Sequence, residues 1–338
     1  MKKGFSNMHK ITQKKYQHLL NLSDKQQRIN ALAIDQRQSL RKMITDIDSS
    51  VTDPAVIIDY KTEVSSELTK YASAILLDSE YGLPAASLRA EGSGLLISYE
   101  VSGYDKNEEG RLPKLLPELS VKRLKEFGVD GVKILLYYDV DEDAAINDEK
   151  HAFVERVGSE CLGEELPFFL EIVSYDANIE DAKSKEYAKV KPHKVNESMK
   201  IFSDPQFGVD VLKMEIPVNM TYVEGYTEDN DFVYTKDEAA RYYKEQSEST
   251  HLPFIFLSAG VSAEMFQETI RFAKEAGSAF NGVLCGRATW KDSVEVFVTE
   301  GKESTQNWLA TQGRRNIEEL NVVVAESATP WTNRIELL

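Results

Sequence analysis

The chain has 338 residues, 42% hydrophobic and 28% charged, enough to bury a large core in a globular protein. Its net charge of −16 excludes a grip on the phosphate backbone of nucleic acid as the default reading, so an anionic ligand needs a local positive pocket. Cys161 and Cys285 lie far apart without CxxC or Cys/His spacing, which suggests neither a disulfide framework nor a zinc site.

The opening MKKGFSNMHKITQKKYQ is basic but lacks the apolar segment of a secretory signal, and no window approaches 18 uninterrupted apolar residues. A cytoplasmic protein with no membrane partner is the expectation. Residues 1–29 read as one or two helices laid across the rest of the fold.

Eight short aliphatic or β-branched runs then recur in order: NALAID (30–35), ASAILLD (72–78), GLLISYE (94–100), GVKILLYY (131–138), FFLEIVSY (168–175), VLKMEIPV (211–218), FIFLSAG (254–260) and GVLCGRA (282–288). Near-continuous apolar runs of this kind are what parallel strands covered on both faces look like. Each is followed by a stretch able to hold a helix. LPELSVKRLKEFGVDG (116–131) ends on glycines that suit a left-handed cap. DEAARYYKEQSEST (237–250) and VSAEMFQETIRFAKEAG (261–277) carry helical patterning, the latter with Phe266, Ile270 and Ala273 on one stripe. The highly charged 176–207 reads as an insertion made of a long loop and a helix, and 302–338 as a terminal helix and tail.

Eight such units predict an α/β fold, a single-domain (β/α)8 TIM barrel with the barrel proper over 30–301. A doubly wound sheet fits less well, and no GxGxxG or GxxxxGK[ST] follows any run. The five histidines stand outside the strand ends with no ligand spacing, so no metal or cofactor is expected. Trp290, Trp308 and Trp331 read as packing residues.

Barrels place their chemistry at the C-terminal ends of the strands. The polar residues there are Asp35, Asp78, Lys133, Glu171, Lys213, Glu215, Ser258, Gly260, Gly286 and Arg287. Any one of these is readily explained as part of a buried ion network. Asp35 could equally cap the helix that follows it. Together they converge on one axis and look like a site. Glu215, two residues after Lys213 and so on the same strand face, is placed to pair with a lysine.

The strand ends ALAIDQRQSL, GVKILLYYD, FFLEIVSYD, VLKMEIPV, FLSAGVS and GVLCGRATW, in this order, resemble those of the metal-independent tagatose 1,6-bisphosphate aldolases of bacterial galactose and lactose catabolism. The likeness runs from about residue 9 to about residue 335. It implies class I aldolase chemistry, in which a lysine amine forms an iminium at C2 of a ketohexose bisphosphate and the C3–C4 bond then breaks. On this resemblance Lys213 is the Schiff-base lysine, and Lys133 tunes it and contacts substrate. Glu171 transfers protons with a carboxyl raised by burial, and Asp35 binds hydroxyls near C3 and C4. Ser258, Ala259, Gly260, Gly286 and Arg287 are the expected 1-phosphate site. Gln36, Arg37 and Ser39 are candidates for the 6-phosphate.

Three readings stay open beside this one. The same mechanism suits fructose 1,6-bisphosphate or another ketose phosphate, because C4 epimers differ by one hydroxyl orientation. A regulatory barrel protein that retains some aldolase activity is the second. A metal-assisted lyase barrel is the third, and it lacks the clustered ligands such a site needs. A homo-oligomer is expected.

Overall fold

The computed structural model describes residues 8–102, 108–227 and 230–338. Its centre is a closed barrel of eight parallel strands paired in chain order. They are β1 (Ile29–Ala33), β2 (Ala74–Asp78), β3 (Gly94–Ser98), β4 (Gly131–Tyr138), β5 (Phe168–Ser174), β6 (Val211–Met214), β7 (Phe254–Leu257) and β8 (Gly282–Cys285). All eight expected runs are strands, with the (β/α)8 architecture the sequence predicts. Closure is tight where β8 meets β1. Gly282 has φ +139°, and a Cβ there would lie 1.8 Å from the Ile29 carbonyl oxygen, so only glycine fits.

Alternation of side chains divides the barrel residues into two sets. Val132, Ile134, Leu136, Phe168, Leu170, Leu212, Phe254 and Phe256 face outward, into the layer between strands and helices. Ala31, Ala33, Ala74, Leu76, Leu96, Phe169, Val211, Ile255 and Leu284 fill the inside of the barrel as a second apolar cluster. Each layer is apolar and buried, and together they hold the strands at fixed heights relative to one another.

The terminal segments close the lower end of the barrel, where the strands begin. A strand at His9–Ile11 pairs in parallel with one at Ile335–Leu337. The helix Gln13–Asn21 follows the first of these strands, and its Leu19, with Leu22 just beyond it, packs into the interior cluster beside Trp331. Thr12 caps this helix by accepting from the Lys15 N–H. Lys15 is 3% exposed and donates to Asp210 at 2.7 Å, and the same carboxylate accepts from the Phe168 N–H at 2.8 Å. The first seven residues of the expected N-terminal segment lie outside the described residues.

Two expectations need correction. The segment 176–207 is not an insertion. It carries the crossover helix from β5 to β6, Lys185–Ile201, which buries Ala188, Val195 and Met199. Its charged composition misleads because two of its lysines are buried as ion pairs. Lys191 meets Glu215 at 3.3 Å, and Lys194 meets Asp176 at 2.9 Å and also contacts Asp139. The run 211–218, for its part, is a strand only to Met214, so Glu215 lies beyond the strand. Its carboxylate accepts from the Ser174 N–H and hydroxyl at 2.7 and 2.6 Å and does not join Lys213.

Trp290 and Trp331 are fully buried packing residues, and Trp308 packs against the layer that holds Trp290. Among the described residues no helix is long and apolar enough to cross a membrane.

Candidate active site

Lys133, Leu135 and Tyr137 share the inward face of β4, because the residues between them face the helices. Pairing then sets the heights. Leu135 is level with Glu171 of β5, Glu171 with Lys213 of β6, and Lys213 with Ile255 of β7. An acid and an amine are therefore delivered as cross-strand neighbours by two parallel strands. Glu171 is 9% exposed, Lys213 4% and Lys133 1%, above a floor made by Phe169 and Val211.

One carboxylate joins the two lysines. Glu171 Oε1 lies 2.7 Å from Lys213 Nζ, and its Oε2 lies 2.7 Å from Lys133 Nζ. Lys133 also donates to Asp35 at 2.9 Å and to Glu100 at 3.0 Å. Three carboxylates thus surround one ammonium. Burial by itself would lower the Lys133 pKa, yet Asp35, Glu100 and Glu171 outweigh burial and hold it well above the ordinary lysine value. Lys133 is a permanent cation at neutral pH.

The carboxylates respond in kind. Burial pushes Asp35 up, but Lys133, Lys213 and Lys61 together hold it well below the usual carboxylate range. Glu171 follows the same pattern, its burial outweighed by Lys133 and Lys213, and it sits below the ordinary glutamate value. That corrects the expectation of a carboxyl raised by burial. Two cations within contact distance decide the sign, and apolar surroundings do not.

Asp35 does not cap the following helix. The helix Gln38–Ile47 has Arg37 at its N-cap and no side-chain capping bond. Asp78 is completely buried but belongs to a different pair. It binds Lys61, which also donates to the Ile34 carbonyl at 2.9 Å, and Asp78 accepts from the Tyr81 N–H at 2.7 Å. The pair braces the turns after β1 and β2 behind the site.

The turns after β7 and β8 meet. Gly260 has φ +76°, and a Cβ there would lie 3.0 Å from Arg287 Cζ, so the guanidinium rests directly against Gly260. Ala259 also adopts a left-handed φ of +49°, which is uncommon for a residue with a Cβ. The N–H groups of Ala259 and Gly260 find no acceptor among the described residues, and the Arg287 guanidinium finds no ion-pair partner among them. Ser258 is buried beside them, and Gly286 lies 3.4 Å, measured from a would-be Cβ, from the Gln36 amide nitrogen. A turn with free backbone donors beside an unpaired guanidinium is a ready anion site.

The three residues considered for a second phosphate separate in space. Arg37 turns inward to Glu80 at 2.6 Å and to the Glu100 carbonyl at 2.9 Å, while Ser39 is exposed on the first turn of its helix. Gln36 alone faces the β8 turn. Glu100 is absent from the candidates read off the sequence, although it shares the inward parity of Leu96 and Ser98. It is 2% exposed, and its Oε2 has no hydrogen-bond partner. That parity is the signal that could have found it. Among the described residues no group of three or more His, Cys, Asp and Glu is arranged to hold a metal ion.

The chain is similar to known proteins. A family model described as DeoC/LacD family aldolase matches residues 29–292. The chain is 62% identical over 316 residues to tagatose 1,6-diphosphate aldolase 2 of Enterococcus faecalis, covering 94% of this chain and 95% of that protein. It is 54% identical over 323 residues to tagatose 1,6-diphosphate aldolase of Staphylococcus epidermidis, covering 96% and 99%. In fold it is similar to a fructose-bisphosphate aldolase of Plasmodium falciparum, with a TM-score of 0.70 at 16% identity, over 96% of this chain and 99% of that one. The matches span the strands that carry Asp35, Lys133, Glu171, Lys213 and Arg287, and on them the chain belongs to the DeoC/LacD family of aldolases.

Proposed function

We propose that this aldolase cleaves D-tagatose 1,6-bisphosphate to dihydroxyacetone phosphate and D-glyceraldehyde 3-phosphate through an iminium on Lys213. The substrate is the one in the names of the curated relatives. The observation that carries the mechanism is Glu171, one oxygen on Lys213 and the other on Lys133 at 2.7 Å each.

An amine attacks a ketone only after losing a proton, and Glu171 Oε1 is the acceptor in contact with it. Attack on C2 gives a neutral carbinolamine. At that moment one of the two positive charges that depress Glu171 has gone, and burial again favours its protonated form. The carboxyl becomes a better acid when it must hand a proton to the departing hydroxyl, which leaves as water. The iminium so formed accepts the electron pair of the C3–C4 bond, while Glu171 takes the proton of the C4 hydroxyl. Protonation at C3 and hydrolysis of the iminium release dihydroxyacetone phosphate and the free lysine.

Lys133 keeps its charge throughout and fixes Glu171 from its other oxygen. Asp35, held ionised, accepts hydrogen bonds from hydroxyls near C3 and C4. Ser258, Ala259, Gly260, Gly286 and Arg287 bind the 1-phosphate. Both cysteines are buried free thiols, which suits a reducing cytoplasm as the place of action. The protein acts as one barrel unit, in a homo-oligomer.

Borohydride trapping with dihydroxyacetone phosphate in EDTA, followed by peptide mass spectrometry, tests the mechanism. A reduced adduct on Lys213 is expected. No adduct, together with activity lost to EDTA, would overturn the iminium route.

A further inference from the structure

Resting on that reading, we infer that Arg111 anchors the distal phosphate of the substrate from the loop that follows β3. The residues near β1 do not supply this charge. Arg37 is engaged by Glu80 and Glu100, Lys61 is engaged by Asp78, and Ser39 faces solvent. Arg111 is different. Its guanidinium lies 4.1 Å from the ring centroid of Tyr175 and 5.6 Å from that of Tyr137, and it has no carboxylate partner among the described residues.

The position is set by the fold. The loop after β3 leaves and returns as a short antiparallel pairing, with Glu100 bridged to Leu115, Val101 N–H bonded to the Lys114 carbonyl at 2.8 Å and Leu116 N–H to the Tyr99 carbonyl at 3.2 Å. Within this loop Gly110, with φ +74°, packs on Ile146, and Arg111 has φ +46°. Tyr137 is inward-facing and two residues beyond Leu135, which is level with Glu171 and Lys213. At about 3.3 Å per residue this puts the Tyr137 Cα roughly 7 Å further along the barrel than the Lys213 Cα, with the Arg111 guanidinium over the Tyr137 ring. That is the reach of an extended substrate from C2 to the phosphate at its far end.

The surroundings keep Arg111 available. Tyr175 is held from its edge, its hydroxyl accepting from Lys150 at 3.0 Å and donating to Glu142 at 2.8 Å, so that acid occupies the rim of the ring and the guanidinium its face. Stacking on two aromatic faces holds the fork while leaving its N–H groups for a phosphate. One phosphate then sits at Arg287 and the other at Arg111, with Lys213 between them.

The test compares Arg111→Ala with wild type on a ketohexose 1,6-bisphosphate and on the corresponding ketohexose 1-phosphate. The expected result is a fall of about 10- to 100-fold in kcat/KM for the bisphosphate, carried mainly by KM, and little change for the 1-phosphate. Arg111→Lys, which keeps a charge, should recover part of the loss. An equal loss on both substrates, or none on either, would overturn the assignment; if the alanine variant is unstable, Arg111→Gln gives the same comparison. Wild-type protein that cleaves neither substrate removes the aldolase reading itself, whereas wild type that cleaves both equally well removes only the distal site.

Discussion

Lys15 and Lys133 are both lysines buried to a few per cent exposure, at opposite ends of one barrel. At the lower end Lys15 meets Asp210, whose two oxygens are also taken by His9 at 3.0 Å and the Phe168 N–H at 2.8 Å. Nearby, Asp130 accepts from Asn21 at 2.8 Å, from the Leu95 N–H at 3.1 Å and meets His18 at 3.1 Å. Each carboxylate there ties a terminal segment to the first residues of a strand. At the upper end Lys133 carries three carboxylates, Glu171 is shared by two lysines, one Glu100 oxygen is unpartnered, and Arg287 has no counter-ion among the described residues. Burial of charge is common to both ends. What distinguishes the two clusters is the state of their charged groups: both oxygens of Asp210 and of Asp130 are partnered below, whereas a Glu100 oxygen and the Arg287 guanidinium above have no partner among the described residues.

The contrast can be broken first at its strongest point. Lys213→Ala should reduce cleavage by at least about 10⁴-fold, the scale of removing a nucleophile, with the thermal midpoint nearly unchanged. Substantial residual turnover would remove Lys213 from the chemistry. Glu171→Gln should cost about 10²- to 10⁴-fold and slow iminium formation and cleavage together, which rapid-quench and trapping kinetics can separate.

The lower end should answer in the opposite currency. Lys15→Met leaves Asp210 buried with only His9 beside it and should lower unfolding stability by about 3–5 kcal/mol in denaturant titrations, while kcat of the folded protein is unchanged. The pH dependence has a definite sign. Lys15 and His9 outweigh the burial that pushes Asp210 up, and its pKa lies below the ordinary aspartate value. Its contribution to stability is therefore present above about pH 4 and is lost as pH falls from there toward the depressed native value. Stability in the wild type that stays flat through this range would show that the ion pair contributes nothing. The smallest of these effects is at Arg287. Arg287→Ala should raise KM for the bisphosphate by about 10- to 100-fold with little loss of stability, and an unchanged KM would move that phosphate elsewhere.

Much of this molecule is legible along the chain because parallel strands covered on both faces leave an unmistakable apolar signature. The eight runs, their order and the polar residues at their ends follow from local composition alone. So does Lys213, an ionisable residue in a run that is otherwise apolar. Glu100 also stands at the end of its apolar run, but it lies two residues past the strand proper, where its inward parity with Leu96 and Ser98 is what brings it to Lys133. The helix Lys185–Ile201 reads as an insertion because its lysines are paired with residues distant in sequence, among them Asp139 and Glu215.

The sequence by itself determined the barrel, the lysine and the glycine turns, since each depends on residue type and short-range spacing. The tertiary structure decided the protonation of Glu171 and the neighbours of Arg37 and Arg111. Those depend on which charges are brought within about 3 Å by barrel closure, and electrostatic energy at that range changes sign with one neighbour. A single carboxylate in an apolar barrel would rise in pKa. The same carboxylate between two lysines from adjacent strands falls, and only the register of β4, β5 and β6 puts it there.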